Sequence, residues 1–368
     1  MQINNYETYC KVYKNKELLR RINILRGLVF LGNKKAELRE FPDPEPDINE
    51  VVVKIKVSAL CGSDLHFYRS ESQYLNLGVI SGHEPSGIVH KIGKCVKNVK
   101  IGDRVSVHHY ISCGNCRHCL AGNKMFCEER LGLGWKAYGA NADYLLINAE
   151  NCLKLPDELS YIDGAFIACI AGTTFSALKK LNPSGKDTLA IFGLGPVGLT
   201  AGLIAKAMGT RIIGLEIDEK RIALAKNIGI EKVINVAKNN CVEELKRLTN
   251  RMGPNKIIET SGNLDAQKNA VEAASIQGEI ALIGLSGVVG PSAKTSMGVD
   301  PAKIIFKELK IMGSFVMPVG YYYELSDFIN VNKINFEQIV THRFPLEKAN
   351  EALEIFDKGG TGKVIFEF

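Results

Sequence analysis

Residues 189–198 read LAIFGLGPVG, a short apolar run followed by a glycine-rich turn and the start of a helical pattern. The glycines are spaced as GxGxxG, which allows a tight turn and lets backbone N–H groups approach a pyrophosphate at the positive end of a helix. The motif alone is weak, but its position between a strand and a helix is the context that dinucleotide binding requires. The residues predicted to hold the dinucleotide are Gly193, Gly195, Pro196, Val197 and Gly198.

Downstream of this motif, short apolar runs alternate with helical segments. Strands are predicted at 189–192, 212–216, 233–234, 256–260, 280–284 and 311–315, and helices at 241–252, 265–277 and 301–308. Strands that alternate with helices predict an α/β fold with a parallel, doubly wound sheet. Glu216 ends the second strand, where an acid accepts bonds from the adenosine ribose hydroxyls and repels a 2′-phosphate, so NAD is predicted over NADP. The alternative for Glu216 is a solvated strand end.

The first half of the chain has a different pattern. From residue 51 to 147, short β-type runs are broken by glycines and helical periodicity is scarce, which favours a β-rich barrel or sandwich. With 368 residues, the chain exceeds the size at which one hydrophobic core is usual, so two domains are expected.

Composition excludes several classes of function. The net charge is +6, from 46 basic and 40 acidic residues, and no run concentrates it, which disfavours a nucleic-acid surface. No apolar stretch reaches the roughly 18 residues of a membrane span, and no secretory signal is visible. Ten cysteines without an export signal are expected to be thiols and metal ligands, so a cytoplasmic protein is predicted.

Four of these cysteines fall within one short segment, at Cys113, Cys116, Cys119 and Cys127. Zinc takes four thiolates tetrahedrally and thereby fixes a loop that has little core of its own. Because all four positions are filled, this metal is predicted to be structural. The alternative is four unrelated buried thiols.

A second group of metal-ligand types is split between two motifs, CGSDLH at 61–66 and GHEPSG at 82–87. Cys61 and His83 are residue types that bind zinc. Each motif alone also fits a buried cysteine or a core histidine.

Together these motifs, with GDRV at 102–105 and GKVIF at 362–366, resemble the zinc-dependent alcohol dehydrogenases of the medium-chain dehydrogenase/reductase family, including polyol and threonine dehydrogenases. The resemblance runs from about residue 28 to 368. It implies a GroES-like catalytic domain and a Rossmann domain with the active site between them. The implied boundaries are an N-terminal extension at 1–23, the catalytic domain at 24–170, the NAD-binding domain at 171–316 and a return to the catalytic domain at 317–368.

The resemblance also implies residue roles. Cys61, His83 and Cys169 would bind a catalytic zinc, and Glu84 would be an alternate ligand beside it; for Cys169 a core position is the alternative. Zinc with an open coordination position lowers the pKa of a bound oxygen. Asp64 would orient His83, and Ser63 with His66 would relay the proton to solvent. Arg221 would lie near the adenosine ribose, although a surface position fits it equally.

The expected activity is zinc-dependent hydride transfer between an alcohol and NAD. Residues 107–110 read VHHY and would line the substrate pocket, which favours a secondary alcohol of a polyol, cyclitol or sugar. Simple secondary alcohols and L-threonine remain alternatives, as do a zinc-free quinone or enoyl reductase and a non-catalytic zinc-containing binding protein on the same fold. The resemblance also implies a homo-oligomer, either dimer or tetramer.

Overall fold

The structure, a computed structural model, describes residues 24–71, 78–285 and 298–368. The N-terminal extension predicted for 1–23 lies outside the described residues. The described residues form two compact units. One contains those that fall within Met1–Cys169, Arg343–Asp357 and Val364–Phe368, and the other contains those within Ile170–His342 and Lys358–Lys363. This division assigns 317–342 to the second unit, whereas the sequence-based boundaries assign it to the first, and those boundaries stay a prediction.

The β-strands of the described residues are β1 (Ile24–Gly32), β2 (Lys35–Pro42), β3 (Glu50–Ala59), β4 (Pro85–Ile92), β5 (Arg104–Val107), β6 (Tyr110–Ile111), β7 (Leu131–Gly132), β8 (Tyr144–Asn148), β9 (Cys152–Lys154), β10 (Thr188–Phe192), β11 (Arg211–Glu216), β12 (Lys232–Asn235), β13 (Lys256–Glu259), β14 (Glu279–Leu282), β15 (Lys310–Gly313), β16 (Val340–Phe344) and β17 (Lys363–Glu367). The α-helices are α1 (Asp64–Arg69), α2 (Arg117–Leu120), α3 (Tyr161–Ala168), α4 (Ile170–Leu181), α5 (Pro196–Ala207), α6 (Glu219–Asn227), α7 (Cys241–Leu248), α8 (Leu264–Ala273), α9 (Pro301–Phe306), α10 (Tyr321–Val331) and α11 (Ala349–Lys358).

The second unit is built on a six-stranded sheet in the order β12-β11-β10-β13-β14-β15. Every adjacent pair is parallel. This is the doubly wound order 3-2-1-4-5-6, in which ligands bind at the carboxyl ends of the central strands, here β10 and β13. The predicted α/β fold with a doubly wound parallel sheet is confirmed.

Three helices of this unit end earlier than their sequence pattern predicts, and the one predicted over 301–308 ends at Phe306. The segment predicted as helical over 241–252 ends at Leu248, because Asn250 and Arg251 take positive φ values of 51° and 68°. The segment predicted over 265–277 ends at Ala273, where the Lys307 ammonium donates to the carbonyl oxygens of Val271, Glu272 and Ala274. A tertiary contact therefore satisfies carbonyl groups that the end of a helix leaves without partners.

The first unit carries a sheet in the order β16-β17-β3-β4-β5-β9, with β8 paired to β3. Strands β3 and β4 are antiparallel, with Ser58 opposite Pro85, so the end of β3 meets the start of β4. Alternate residues of β3 (Val51, Val53 and Ile55) are fully buried in one hydrophobic core. The β-rich character predicted for 51–147 is confirmed.

The helices of the described residues are short or polar compared with a membrane span. No single helix there is long and apolar enough to cross a membrane. Two consecutive helices, α3 and α4, reach the required length and apolarity only when they are taken together.

Candidate active site and cofactor loop

One candidate metal centre lies where β3 and β4 meet. Its members are Cys61, just after β3, His83 and Glu84, just before β4, and Cys169, at the end of α3. One ligand atom of each lies within 4.8 Å of one atom of every other. The fold thus brings together four side chains that three separate sequence segments supply.

A buried amide network fixes the backbone in front of His83. The Asn141 amide accepts from the Ser58 hydroxyl at 2.7 Å and donates to the Ser81 hydroxyl at 3.0 Å. The Asn141 backbone N–H also donates to the Ser81 carbonyl at 2.9 Å. Next to it Gly82 has φ +92°, and a Cβ there would lie 2.5 Å from the Asn141 side chain. Asn141 belongs to no motif that the sequence displays, so its role emerges only from packing.

Asp64 orients two of the candidate ligands at once. One carboxylate oxygen accepts the Cys61 backbone N–H at 2.8 Å, and the other lies 3.1 Å from His83 Nδ1. Both side chains of the Asp64–His83 pair are only 1% exposed. A bond from Nδ1–H to the carboxylate leaves Nε2 as the lone-pair nitrogen that can bind a metal.

The electrostatic balance at His83 favours positive charge. Burial lowers the pKa of His83, but the negative charges of Asp64 and Cys61 raise it, and the balance lies well above the usual value. Either a proton on His83 or a cation among the ligand atoms would satisfy this field. Two thiols, an imidazole and a carboxylate form a donor set that zinc accepts, so these residues fit the metal.

Aromatic rings surround the His83 imidazole within the same unit. Its ring centroid lies 4.9 Å from that of Trp135 and 5.4 Å from that of His109. The Trp135 ring in turn contacts Phe67 and Tyr110, at centroid distances of 5.7 and 6.1 Å. The predicted pocket segment 107–110 therefore lies beside the candidate ligands. Trp135 belongs to no sequence motif, and only the structure reveals its position.

His109 and Tyr110 are held in their neutral forms. Burial, reinforced by His83 and His108, lowers the pKa of His109 well below its usual value. Its Nδ1 lies 2.9 Å from the carbonyl oxygen of Ala168, an acceptor, so Nδ1 carries the proton. Burial raises the pKa of Tyr110 to about 12.

The four-cysteine segment folds into a second candidate metal centre. The sulfur atoms of Cys113 and Cys119 lie 3.9 Å apart, those of Cys116 and Cys119 3.5 Å, and those of Cys127 and Cys113 3.6 Å. Two sulfurs bound at about 2.3 Å to a tetrahedral zinc are about 3.8 Å apart, so this spacing fits the ion. The Cys119 backbone N–H lowers the pKa of Cys116 to about 7, whereas burial raises that of Cys127 to about 12. Four thiolates at this spacing repel one another unless a cation lies between them.

The glycine loop after β10 is shaped for close backbone approach. Gly193 has φ +87°, and a Cβ on Gly198 would lie 1.9 Å from the Gly193 carbonyl oxygen. A Cβ on Gly195, in contrast, would meet nothing nearer than the Arg221 guanidinium at 3.7 Å. Packing within the chain requires Gly193 and Gly198, while the open face at Gly195 fits a pyrophosphate that approaches the backbone. Pro196 begins α5, and Val197 follows in its first turn.

Glu216 and Arg221 both border this loop. The Glu216 carboxylate, 6% exposed, accepts the backbone N–H of Leu194 at 2.8 Å, of Ile217 at 2.8 Å and of Asp218 at 3.2 Å. It is therefore a buried, amide-bound carboxylate and not a solvated strand end. Arg221 donates through Nε to the carbonyl of Thr361 at 3.0 Å.

Ser63 contacts a candidate metal ligand directly, whereas His66 is connected to Ser63. The Ser63 hydroxyl lies 3.3 Å from His83 Nε2, among the ligand atoms. The backbone N–H of His66 donates a hydrogen bond to the Ser63 carbonyl oxygen at 3.2 Å. Burial and the charge of Arg69 lower the pKa of His66, which favours its neutral form.

Family models match both parts of the chain. A model described as the alcohol dehydrogenase GroES-like domain matches residues 47–157, and one described as zinc-binding dehydrogenase matches 196–331. The chain belongs to the zinc-type alcohol dehydrogenase family. Membership confirms the resemblance seen in the motifs, the GroES-like and Rossmann domains, and the class of oxidoreductases.

Individual members of the zinc-type alcohol dehydrogenase family are similar over almost the whole chain. The Escherichia coli K12 protein YphC, a zinc-type alcohol dehydrogenase-like protein, is 33% identical over 348 residues, covering 92% of this chain and 97% of its own. The L-threonine 3-dehydrogenase of Coxiella burnetii is 31% identical over 336 residues, covering 90% and 95%.

Solved structures of dehydrogenases superpose on nearly the whole chain. An alcohol dehydrogenase of Escherichia coli CFT073, complexed with cofactor NADH, superposes with a TM-score of 0.84 at 26% identity, covering 94% of this chain and 99% of that chain. Galactitol-1-phosphate dehydrogenase of Escherichia coli superposes with a TM-score of 0.83 at 26% identity, covering 93% and 100%.

Proposed function

We propose that this alcohol dehydrogenase transfers a hydride between a secondary alcohol of a polyol, cyclitol or sugar and NAD, in a zinc-dependent reaction. One observation carries the proposal: the ligand atoms of Cys61, His83, Glu84 and Cys169 converge within 4.8 Å of one another. Relatives are named as dehydrogenases of L-threonine and of galactitol 1-phosphate, both of which carry secondary alcohols.

Each chain would hold two zinc ions. Cys61, His83 and Cys169 would hold the catalytic ion, with Glu84 as an alternate ligand, and the four-cysteine segment would hold the structural one. A catalytic zinc supplies Lewis acidity that makes an alcohol easier to deprotonate. Asp64 supports this site because it fixes the orientation of His83 and the Cys61 backbone together.

Ser63 and His66 would carry the proton away. The Ser63 hydroxyl lies 3.3 Å from His83 Nε2 and so reaches the place where an alcohol hydroxyl would approach the ligand atoms. A hydroxyl both accepts and donates, so Ser63 takes the substrate proton and passes one on. His66 accepts it as a base, because its lowered pKa keeps the imidazole neutral near pH 7.

A nicotinamide cofactor, when bound, would supply the hydride acceptor. The loop from Gly193 to Gly198, including Pro196 and Val197, would bind its pyrophosphate through backbone N–H groups, and Arg221 borders this loop. Three backbone N–H groups donate to the Glu216 carboxylate, and its remaining lone pairs would accept hydrogen bonds from the adenosine ribose hydroxyls. Because a buried carboxylate repels a 2′-phosphate, NAD is proposed over NADP.

Polar rings beside the candidate ligands support a hydroxyl-rich substrate. His109 presents an imidazole held neutral by burial and by its bond to Ala168, and Tyr110 presents a phenol. Simple secondary alcohols need none of these groups. L-threonine remains the second candidate because the Coxiella burnetii relative is an L-threonine 3-dehydrogenase. We also propose a cytoplasmic dimer or tetramer.

Kinetics with a substrate panel test the proposal. Protein loaded with zinc is assayed with polyols, cyclitols, short secondary alcohols and L-threonine, each with NAD and with NADP, after metal analysis of the same sample. We expect about two zinc ions per chain, a higher kcat/KM with NAD, and polyols or cyclitols as the best substrates. The matched pair Ser63→Ala and Ser112→Ala separates loss of the relay, which should lower kcat, from the general loss of a hydroxyl, which should not.

Four outcomes would each contradict a specific part of the proposed function. A higher kcat/KM with NADP would refute the role of Glu216. Turnover of short apolar alcohols alone would refute the hydroxyl-rich substrate. Protein that binds zinc and NAD yet oxidises no alcohol would be a non-catalytic binding protein, while zinc-free protein with reductase activity would be a quinone or enoyl reductase.

A further inference from the structure

Trp135 is the single tryptophan of the chain, and it lies on a loop that is pinned to the predicted pocket segment. Strand β7 pairs Gly132 with Tyr110, and the Leu133 N–H donates to the His109 carbonyl at 3.0 Å. The backbone N–H of Trp135 donates to the Gly132 carbonyl at 3.3 Å and closes the turn. The backbone therefore holds the indole in register with His109 and Tyr110.

Two glycines make room for this loop. A Cβ on Gly132 would lie 2.1 Å from Trp135 Cε3, so the indole ring occupies the space of a side chain there. Gly134 has φ +79°, and its Cβ would lie 2.9 Å from the Gly82 nitrogen. The loop thus packs directly on the residue that precedes His83, which fixes the position of the indole at the candidate metal ligands.

The indole N–H is the one polar group of this ring. Trp135 Nε1 is buried and has no hydrogen-bond partner in the described part of the chain. Tryptophan in a protein interior normally pairs this donor, and an unpaired one is unfavourable. A buried donor without a partner calls for an explanation, and a group that binds beside the candidate ligands and accepts from the indole is one.

His109 supplies the complementary acceptor. Because Nδ1 carries the proton that Ala168 accepts, Nε2 of the neutral ring is a lone-pair nitrogen. The His109 and Trp135 rings contact each other edge to face, at 6.4 Å between centroids and 89°. The ring that carries the donor and the ring that carries the acceptor are therefore in contact with each other, and both lie beside the His83 ring.

We propose that Trp135 and His109 form a specificity subsite for a second hydroxyl, on the carbon next to the one that is oxidised. This inference rests on the proposed function. The hydroxyl oxygen accepts from the indole N–H of Trp135, and the hydroxyl hydrogen is donated to His109 Nε2. Only a group that both accepts and donates satisfies the pair, so the subsite selects a vicinal diol, as in a polyol or cyclitol. An ammonium group in that position donates only and leaves the indole N–H unpaired.

The first test compares trans-1,2-cyclohexanediol with cyclohexanol, which differ by that hydroxyl alone. For wild-type protein we expect a higher kcat/KM for the diol. In Trp135→Phe, which removes the N–H and keeps an aromatic ring, the diol-to-monool ratio should fall about 3- to 10-fold, the range for one neutral hydrogen bond. The control Phe67→Leu trims the same aromatic wall without removing a polar group, so both substrates should change alike. An unchanged ratio in Trp135→Phe overturns the subsite.

The second test needs no turnover. Because Trp135 is the sole tryptophan, tryptophan emission, excited selectively, reports on this ring alone. We expect a saturable change with the diol and none with cyclohexanol, in protein without NAD. If neither alcohol is oxidised but the diol alone changes the emission, the proposed function fails and the subsite stands. If both alcohols are oxidised while emission and ratio are unaffected, the subsite fails and the proposed function stands.

Discussion

Replacing Asp64 with asparagine removes one hydrogen-bond acceptor from the candidate catalytic site without changing its shape. The carboxylate accepts at both oxygens, from the Cys61 backbone N–H at 2.8 Å and from His83 Nδ1 at 3.1 Å. An asparagine amide has one acceptor oxygen and one NH2 donor. Whichever way it is turned, an N–H of Cys61 or of His83 faces another donor.

The magnitude follows from the burial of the pair. Asp64 and His83 are each 1% exposed, so water cannot replace the lost bond. A hydrogen bond to a charged group contributes about 1.5–3 kcal/mol, which corresponds to about 10- to 150-fold in an equilibrium constant. Changes to groups that orient metal ligands typically cost about 10- to 100-fold in metal affinity or activity. We therefore expect Asp64→Asn to weaken binding of one zinc ion about 10- to 100-fold, with kcat/KM reduced in step.

The assay is competition with a chromophoric chelator, read together with kcat/KM and the thermal unfolding midpoint. The matched control is Asp187→Asn in the second unit. That carboxylate is 3% exposed and also accepts at both oxygens, from the Ser184 N–H at 2.8 Å and the Asn255 amide at 2.6 Å. Its loss should lower stability and leave zinc affinity unchanged. Zinc affinity of Asp64→Asn within about threefold of wild type would refute the orienting role.

Three further predictions concern other parts of the molecule. In Gly198→Ala the new Cβ would lie 1.9 Å from the Gly193 carbonyl oxygen, so NADH affinity in a fluorescence titration should fall about tenfold or more, whereas Gly313→Ala, with nothing within 4 Å, should leave it unchanged. Retained affinity in Gly198→Ala would show that the loop does not bind the dinucleotide. Cys127→Ser should reduce bound zinc to about one ion per chain in metal analysis and lower the unfolding midpoint, since the loop loses its metal cross-link; a protein that keeps both ions contradicts a four-thiolate site. Activity should rise with pH as His66 loses its proton. The inflection should lie below pH 6.5, because burial and Arg69 lower the pKa of His66. The His66→Gln variant should lack this rise in activity. An inflection that persists in His66→Gln assigns it to another group.

The parts of this protein that the sequence determines are those encoded locally. The strand, glycine turn and helix at 189–207 are contiguous, so apolar periodicity and the glycines predict the Rossmann unit directly. The four cysteines of the candidate structural centre also lie in one short segment, and their spacing predicts the cluster of ligand atoms that the structure contains. Helix ends are less well encoded, because the helix predicted to reach 277 ends where Lys307, distant in sequence, caps it at Ala273.

The candidate active site is decided by tertiary structure. The ligand atoms of Cys61, His83 and Cys169 converge because β3 and β4 are antiparallel neighbours and α3 ends beside them. No local sequence pattern predicts which strands pair. The motifs predicted which residue types take part only through their resemblance to a family. Asn141 and Trp135 carry no motif at all. Their positions follow from side-chain packing and from glycines that leave space for them, and such contacts form only when segments far apart in the chain fold against one another.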